Sequence, residues 1–329
     1  MNVFKSLSDQ IFSFKNEDFE NLALRIFKFQ AHNNSVYNAY IRNLGIAIEN
    51  VKSLDQIPFL PIEFFKTHKI KSGDWEVQSY FESSGTTGAT TSRHYYPDQS
   101  FYLKNCEQIF SEFYAATSNY VWLALLPSYL ERNGSGLVSM ADHFIKEGGS
   151  EDSGFYLDQH DLLIDKLIAL GKQKKQVVLL GVTFALLDLE LQNEINFPEL
   201  IVMETGGMKG RREELVRNDV HSLLKSKFGV DTIHSEYGMT ELFSQAYSSG
   251  EGIFYPARTM RVICRDINDP LTISKDLKSG GLNVIDLANI HSCSFIETKD
   301  LGKVYENGSF EVLGRIDNSD IRGCNLMLT

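Results

Sequence analysis

An α/β fold, in which a largely parallel, helix-flanked sheet is followed by a smaller β-rich subdomain, is predicted by three features of the sequence. Short apolar runs at residues 76–83, 120–128, 176–182, 199–205 and 231–238 alternate with helical patterns near 99–116, 159–174 and 208–228. Beyond Met260 the texture turns to short, turn-bounded apolar runs at 260–267, 281–288, 294–302 and 308–317, which suits a small sheet or distorted barrel. The 329 residues, 43% of them hydrophobic, suffice to bury a large core.

Taken in order, residues 19–46 carry apolar side chains at helical spacing and end near Gly45, predicting one or two amphipathic helices. Prolines 58 and 61 disfavour a continuing helix, so 57–70 should run extended as a linker. This divides the chain into a helical cap and linker (1–70), an α/β core (71–259) and a β-rich subdomain with a short tail (260–329). A net charge of −11 argues against a nucleic-acid surface, which needs a basic stripe to displace counterions. No window approaches the roughly 20 apolar residues of a membrane span, and the start lacks a basic, then apolar, leader, so a cytoplasmic protein with small-molecule partners is expected. Cys106, Cys264, Cys293 and Cys324 are scattered without zinc or redox spacing and should be free thiols.

The stretch ESSGTTGATTSRHYY, residues 82–96, concentrates small hydroxyl side chains and glycines at the predicted end of a strand, turning toward a helix that should begin near Pro97 or Asp98. Gly85 and Gly88 let the backbone fold tightly. Ser83, Ser84, Thr86 and Thr87 add hydroxyls to the backbone N–H groups, a donor array suited to a polyphosphate. A flexible turn is the plain alternative. It is not a P-loop, because no lysine occurs from Glu82 to Tyr96.

SSGTTGAT resembles the phosphate loop of the adenylate-forming enzymes, the superfamily of acyl-CoA synthetases, luciferases and peptide-synthetase adenylation domains, and further segments follow in that superfamily's order. HSEYGMTE (234–241) is similar to its aromatic-Gly-x-Thr-Glu motif. The resemblance implies that Tyr237 stacks on adenine with Gly238 and Met239 beside it, that Thr240 contacts the α-phosphate, and that Glu241 holds Mg²⁺. TKDLG (298–302) resembles the segment whose Asp, here Asp300, binds the ribose hydroxyls, and LGRID (313–317) the segment whose Arg, here Arg315, reaches the nucleotide. More loosely, METGGMKG (203–210) places Gly206 and Gly207 beside adenine. Each residue has a bland alternative: Tyr237 a core aromatic, Glu241 a carboxylate at a helix N-terminus, Asp300 and Asp317 turn residues, Arg315 a surface ion pair.

The resemblance implies the large N-terminal domain of an adenylate-forming enzyme, with residues 71–259 as its nucleotide-binding core, ATP and Mg²⁺ as cofactors and a carboxylic acid as substrate. The departures matter too. The phosphate loop lacks its usual proline and places Arg93 late. The chain stops at Thr329 where most members continue into a mobile lid that supplies a catalytic lysine, so an absent lid is expected, its charge supplied by Arg93, Lys209 or Arg211. Such a short ending, with Cys324 just beyond the Gly-Arg segment, resembles the acyl-protein synthetases of the bacterial bioluminescence fatty-acid reductase system. The resemblance to that branch implies formation of an acyl-adenylate from a fatty or related carboxylic acid and acyl transfer to the Cys324 thiol, with an acyl-accepting reductase, transferase or carrier protein as partner. Transfer to coenzyme A, a carrier protein, a sugar or an amine is an alternative, as is a nucleotide-binding subunit without catalysis. Cys324 could equally be a small apolar residue. His234 and His143 are candidate bases or hydrogen-bonded structural residues, and 120–130 and 181–187 could line an acyl tunnel or be buried strands.

Overall fold

The computed structural model describes residues 3–15, 18–83, 90–126, 134–157, 159–191, 195, 197–206, 216–273 and 279–316. Three helices open the chain: α1 (Val3–Ser13), α2 (Phe19–Asn33) and α3 (Ser35–Asn43). Asn34 separates the last two, its side chain accepting from Tyr37 N, and Gly45 adopts φ +68° where the helical run ends, as the spacing predicts. Residues 57–70 depart from the expected extended linker. They form β1 (Leu60–Pro61), which pairs with a distant strand, and then a short helix, α4 (Phe64–Thr67). The prolines bar a helix only through their own positions, and burial of Phe65 fixes the turn that follows.

Next come β2 (Ser79–Glu82), β3 (Arg93–Tyr96) and α5 (Gln99–Phe113). The sequence foresaw the first strand and the helix, which Asp98 caps by accepting from Ser100 N, but not the strand between them. Instead of a strand whose loop turns directly into the helix, β2 and β3 form an antiparallel hairpin of their own. His94 and Tyr96 point inward and Arg93 outward, a period-2 pattern too short to stand out.

The remaining elements are β4 (Val121–Leu125), α6 (Gly136–Gly148), β5 (Gly154–Phe155), α7 (His160–Lys172), β6 (Val177–Val182), α8 (Thr183–Asp188), β7 (Ile201–Thr205), α9 (Arg217–Phe228), β8 (His234–Tyr237), β9 (Ala246–Ser248), β10 (Ile253–Pro256), β11 (Met260–Arg265), β12 (Ser279–Asp286), β13 (Phe295–Val304) and β14 (Phe310–Arg315). One sheet runs β11-β12-β13-β14-β10-β9-β8-β7-β6-β4-β5, with β1 beside β13. From β5 to β8 its pairs are parallel and from β8 onward along this path antiparallel, while β1 runs parallel to β13. β4 and β6 are buried at every position, as expected of parallel strands covered on both faces. The change of sense at β8 makes a seam between the parallel and antiparallel halves of the sheet.

The N-terminal helices are tied to the antiparallel half by buried polar contacts. Gln30 Nε2 donates to Asn289 O at 2.9 Å while its Oε1 accepts from Ser294 N at 2.9 Å, and Asn34 Nδ2 donates to Ser292 O at 3.0 Å. At the end of β12 the fully buried Asp286 accepts four hydrogen bonds: Phe243 N (2.7 Å) and Ser244 N (2.9 Å) on Oδ2, Ser244 Oγ (2.6 Å) and Ala288 N (3.0 Å) on Oδ1. Burial raises its pKa, and those donors oppose the rise. Asp286→Asn presents an amide N–H₂ to donors and orphans at least one buried group, so a loss of about 2–4 kcal/mol is expected in urea unfolding at neutral pH. An unchanged midpoint would show that the carboxylate is dispensable.

Candidate active site

Three of the sequence motifs meet at the seam of the sheet. Tyr237 ends β8, Asp300 lies in β13 and Arg315 ends β14, and cross-strand register sets Asp300 directly opposite Arg315. The Tyr237 hydroxyl donates to Asp300 Oδ2 at 2.8 Å, and Arg315 Nε lies 3.5 Å from Asp300 Oδ1. Burial pushes the Asp300 carboxyl up, against the pull of the Tyr237 hydroxyl, Arg315 and Arg265. The Tyr237 ring packs edge-on against Phe310 at 5.2 Å, so this residue is at once a core aromatic and the partner of Asp300. Asp300 is no turn residue, and Arg315, which keeps an exposed side chain, reaches Asp300 from the surface.

Beyond β8 the chain turns through Gly238, Met239, Thr240 and Glu241. A Cβ at Gly238 would meet the Glu236 carboxylate, so a larger residue there would require that side chain to move. Met239 and Thr240 are half-buried and Glu241 is buried. Two contacts hold the turn by its backbone: His94 Nδ1 at 2.9 Å from Thr240 O, and Asn289 Nδ2 donating to Glu241 O at 2.8 Å. Burial first of all lowers the His94 pKa to about 4, and since a carbonyl only accepts, the neutral ring must carry its proton on Nδ1. The Glu241 carboxyl is raised by burial, against donation from the Ser92 hydroxyl and the charges of Arg315 and Lys66. Ser92 in turn bonds Ser83, through Ser92 N to Ser83 Oγ at 2.8 Å and Ser83 N to Ser92 O at 3.0 Å. Glu241 thus joins the base of the Ser/Thr/Gly loop to the Tyr237–Asp300–Arg315 group, and it is no helix N-terminal residue, because a strand rather than a helix follows it.

Among the described residues no grouping of three His, Cys, Asp or Glu could by itself cage a metal. A lone buried carboxylate beside a hydroxyl nonetheless fits Mg²⁺, which usually takes one or two carboxylates and completes its octahedron with water and phosphate oxygens.

Of the other expected site residues, Gly206 follows β7 at φ +84°, and Arg93 is committed to Glu82, Nε to Oε1 at 2.9 Å, with its guanidinium 4.9 Å from the Tyr80 ring centre. Ser84, Gly85, Thr86, Thr87, Gly88, Gly207, Lys209, Arg211, Asp317 and Cys324 lie outside the described residues. His234 begins β8, at the end opposite the motif, with Nδ1 2.9 Å from the Tyr114 hydroxyl, and His143 sits on α6 with Nε2 3.5 Å from Glu107 Oε2; neither is brought to the seam. Cys106, Cys264 and Cys293 are buried, and burial raises all three thiols, Cys293 to about 12.

Sequence reasoning missed two buried carboxylates on adjacent strands. Glu204 pairs in register with Ser235 and Thr205 with Glu236, so the two glutamates occupy opposite faces of the sheet. Burial alone would raise Glu204, but His221 (Nε2 3.6 Å away), Arg217 (Nη1 3.2 Å) and the Thr183 hydroxyl (2.7 Å), with Ser235, hold it at about 2. Among the described residues no such cation acts on Glu236. Burial raises it to about 7, with the Thr205 hydroxyl opposing and Glu204 adding to the rise. The acidic residue two places before each glycine was the only signal available in the sequence.

The signs follow from linkage. Folded Glu236 keeps a proton that the unfolded chain releases from its ordinary 4.5, so stability falls as pH rises from 4.5 to about 7 and levels off above. The depressed Glu204 contributes stability above 4.5 that is lost as pH falls toward about 2. Glu236→Gln should therefore raise the unfolding free energy from urea titration near pH 8 by on the order of 2 kcal/mol and flatten the decline below neutrality, whereas Glu204→Gln should lower it. A Glu236→Gln protein with the parent's pH–stability curve would contradict the assignment.

No protein-family profile and no curated protein match this sequence. Solved structures do match in fold. A 2-hydroxyisobutyryl-CoA ligase in the postadenylation state, in complex with R3-HIB-AMP, aligns with TM-score 0.64 at 12% identity over 91% of this chain and 68% of its own. ATP-bound MatB from Rhodopseudomonas palustris aligns with TM-score 0.54 at 18% identity over 73% of this chain. The luciferase-like enzyme from the nonluminescent Zophobas morio mealworm aligns with TM-score 0.50 at 15% identity over 83% of this chain and 62% of its own. The alignment spans about half, 48%, of the MatB chain. With its mixed sheet, flanking helices and β-rich half, the chain has the fold of the large N-terminal domain of the adenylate-forming enzymes.

Proposed function

We propose that this protein activates a carboxylic acid with ATP, giving acyl-adenylate and pyrophosphate, and then transfers the acyl group to the thiol of Cys324. The observation that carries the first step is the convergence of Tyr237, Asp300 and Arg315, from three separate strands, beside the buried Glu241. Asp300 offers a carboxylate to the ribose hydroxyls, and Arg315 offers a positive charge toward the phosphates. The polar turn Gly238–Glu241 would face the α-phosphate, with Thr240 as a hydroxyl donor. Mg²⁺ held by Glu241 would neutralise phosphate charge as the acid attacks. The solved ligase in complex with R3-HIB-AMP and ATP-bound MatB support the reading, as proteins of this fold that hold such ligands.

The second step rests on the resemblance to the acyl-protein synthetases, and the burial of the described cysteines agrees with Cys324 as its thiol. Cys106, Cys264 and Cys293 are at most 3% exposed and resist ionisation, so none can present a thiolate to an acyl-adenylate. Cys324 is the remaining thiol of the chain. The acid itself and any acyl-accepting reductase, transferase or carrier protein follow from the resemblance to acyl-protein synthetases alone. Among the described residues no helix is long and apolar enough to cross a membrane.

Removing the Asp300 carboxylate deletes hydrogen bonds to a charged acceptor. Asp300→Ala should weaken ATP binding at least about tenfold in a protein that remains folded, and unchanged affinity would remove Asp300 from the site. Incubation with ATP, Mg²⁺ and a panel of acids, followed by intact-mass measurement, tests the acceptor. The parent and the Cys106→Ser, Cys264→Ser and Cys293→Ser variants should gain a hydroxylamine-labile acyl group. Cys324→Ser should exchange pyrophosphate into ATP in an acid-dependent way yet gain none, because an unactivated hydroxyl is a poor nucleophile. Full labelling of Cys324→Ser would place the acceptor elsewhere, and acylation of coenzyme A without labelled protein would make coenzyme A the acceptor.

A further inference from the structure

A surface cleft of about 390 Å³ lies between α4 and the β2–β3 hairpin, lined by Lys66, His68, Lys69, Thr90, Thr91 and Arg93 among others. Its charge is one-sided. The chain has 43 acidic against 32 basic residues, yet three of the residues lining this cleft are Lys or Arg and none is Asp or Glu. Glu82 stands at its edge, engaged by Arg93 Nε and by Thr91 Oγ1, each at 2.9 Å, so the two lysines of the α4 segment carry the cleft's outward positive charge. Such a surface suits a compact polyanion with more than one negative phosphate group.

Position narrows the class. Thr90 and Thr91 lead out of the Ser/Thr/Gly loop, and Lys66 acts electrostatically on Glu241, which Arg315 influences as well. The cleft is fixed to the seam: Phe65 of α4 is buried and meets the His94 ring edge-on at 5.8 Å, and His94 bonds the Thr240 carbonyl. The coupling of Lys66 to Glu241 sets the cleft within Coulomb range of the turn, on the side toward which a nucleotide held at Tyr237 and Asp300 would extend its phosphates.

We propose that Lys66 and Lys69 bind the pyrophosphoryl end of the nucleoside triphosphate, an inference that rests on the adenylation reading. As the substrate carboxylate oxygen bonds to the α-phosphorus, the bond from that phosphorus to the bridging oxygen breaks and its electron pair leaves with pyrophosphate. The lysines face the charge that this departure creates.

Calorimetric titration of the full chain with Mg²⁺-pyrophosphate, AMP, a non-hydrolysable ATP analogue and coenzyme A tests the assignment, on the parent and on Lys66→Ala/Lys69→Ala, Lys66→Arg/Lys69→Arg and Asp300→Ala. Both lysines are exposed, so the variants should fold. The double alanine variant should bind pyrophosphate and the ATP analogue about tenfold or more weakly, with AMP unchanged, while the double arginine variant retains most of the affinity. Asp300→Ala should show the converse, weakened AMP with pyrophosphate retained. A parent that binds AMP through Asp300 but no pyrophosphate, or a double alanine variant that binds it as the parent does, overturns the inference and leaves the adenylation reading standing. Pyrophosphate binding at the lysines without any AMP or ATP affinity would instead sink the adenylation reading and the triphosphate assignment with it. Loss of coenzyme A affinity alone in the double alanine variant would also overturn it, because the cleft would then serve the diphosphate of an acceptor.

Discussion

The arrangement of the seam depends on one buried carboxylate. Asp286 gathers two backbone N–H groups and a hydroxyl from residues 243–244, and one N–H from its own turn, onto a single pair of oxygens. Those donors belong to a segment without regular structure, which in a dry interior would leave its N–H groups unsatisfied. With Asp286 in place, the chain can leave β8, turn through Thr240 and Glu241, and return as β9 in the opposite sense. The change from parallel to antiparallel pairing follows from that return.

A second set of polar contacts carries the constraint outward. Asn289, three residues past Asp286, holds the Glu241 carbonyl, and the Asn289 carbonyl is held by Gln30 on α2. His94 holds the neighbouring Thr240 carbonyl from the β2–β3 hairpin. The N-terminal helices therefore support the turn from behind, and the hairpin supports it from the front. Buried polar groups satisfied in this way restrict the chain to one arrangement more strictly than apolar packing does.

Electrostatics at the strand ends is divided by the pleat. Glu204 faces α9 and stays ionised because Arg217 and His221 come from that helix; Glu236, one register step away on the other face, meets the Thr205 hydroxyl and, among the described residues, no cation, and holds its proton far higher. The same residue type thus takes two protonation states on neighbouring strands. The burial of Cys106, Cys264 and Cys293 likewise removes chemistry from side chains that composition alone would count as reactive.

Local pattern determined most of the framework. The central strands 177–182 and 201–205 and the helices 99–113 and 160–172 stand close to where periodicity predicts them, because each buries a continuous apolar face that the sequence must spell out. The β-rich texture after Met260 was legible for the same reason, and Tyr237, Asp300 and Arg315 were legible as motif residues. What the sequence alone could not decide was partnership. The short strands 93–96 and 246–248 and the helix 64–67 have too few residues for a period to show. Asp286, Asn289, His94 and the Glu204–Glu236 pair gain their roles only when segments distant along the chain are brought within hydrogen-bond or Coulomb reach. Tertiary structure also placed Asp300 in a strand opposite Arg315 and joined it to Tyr237, 63 residues away, since cross-strand register and not sequence spacing sets which side chains touch.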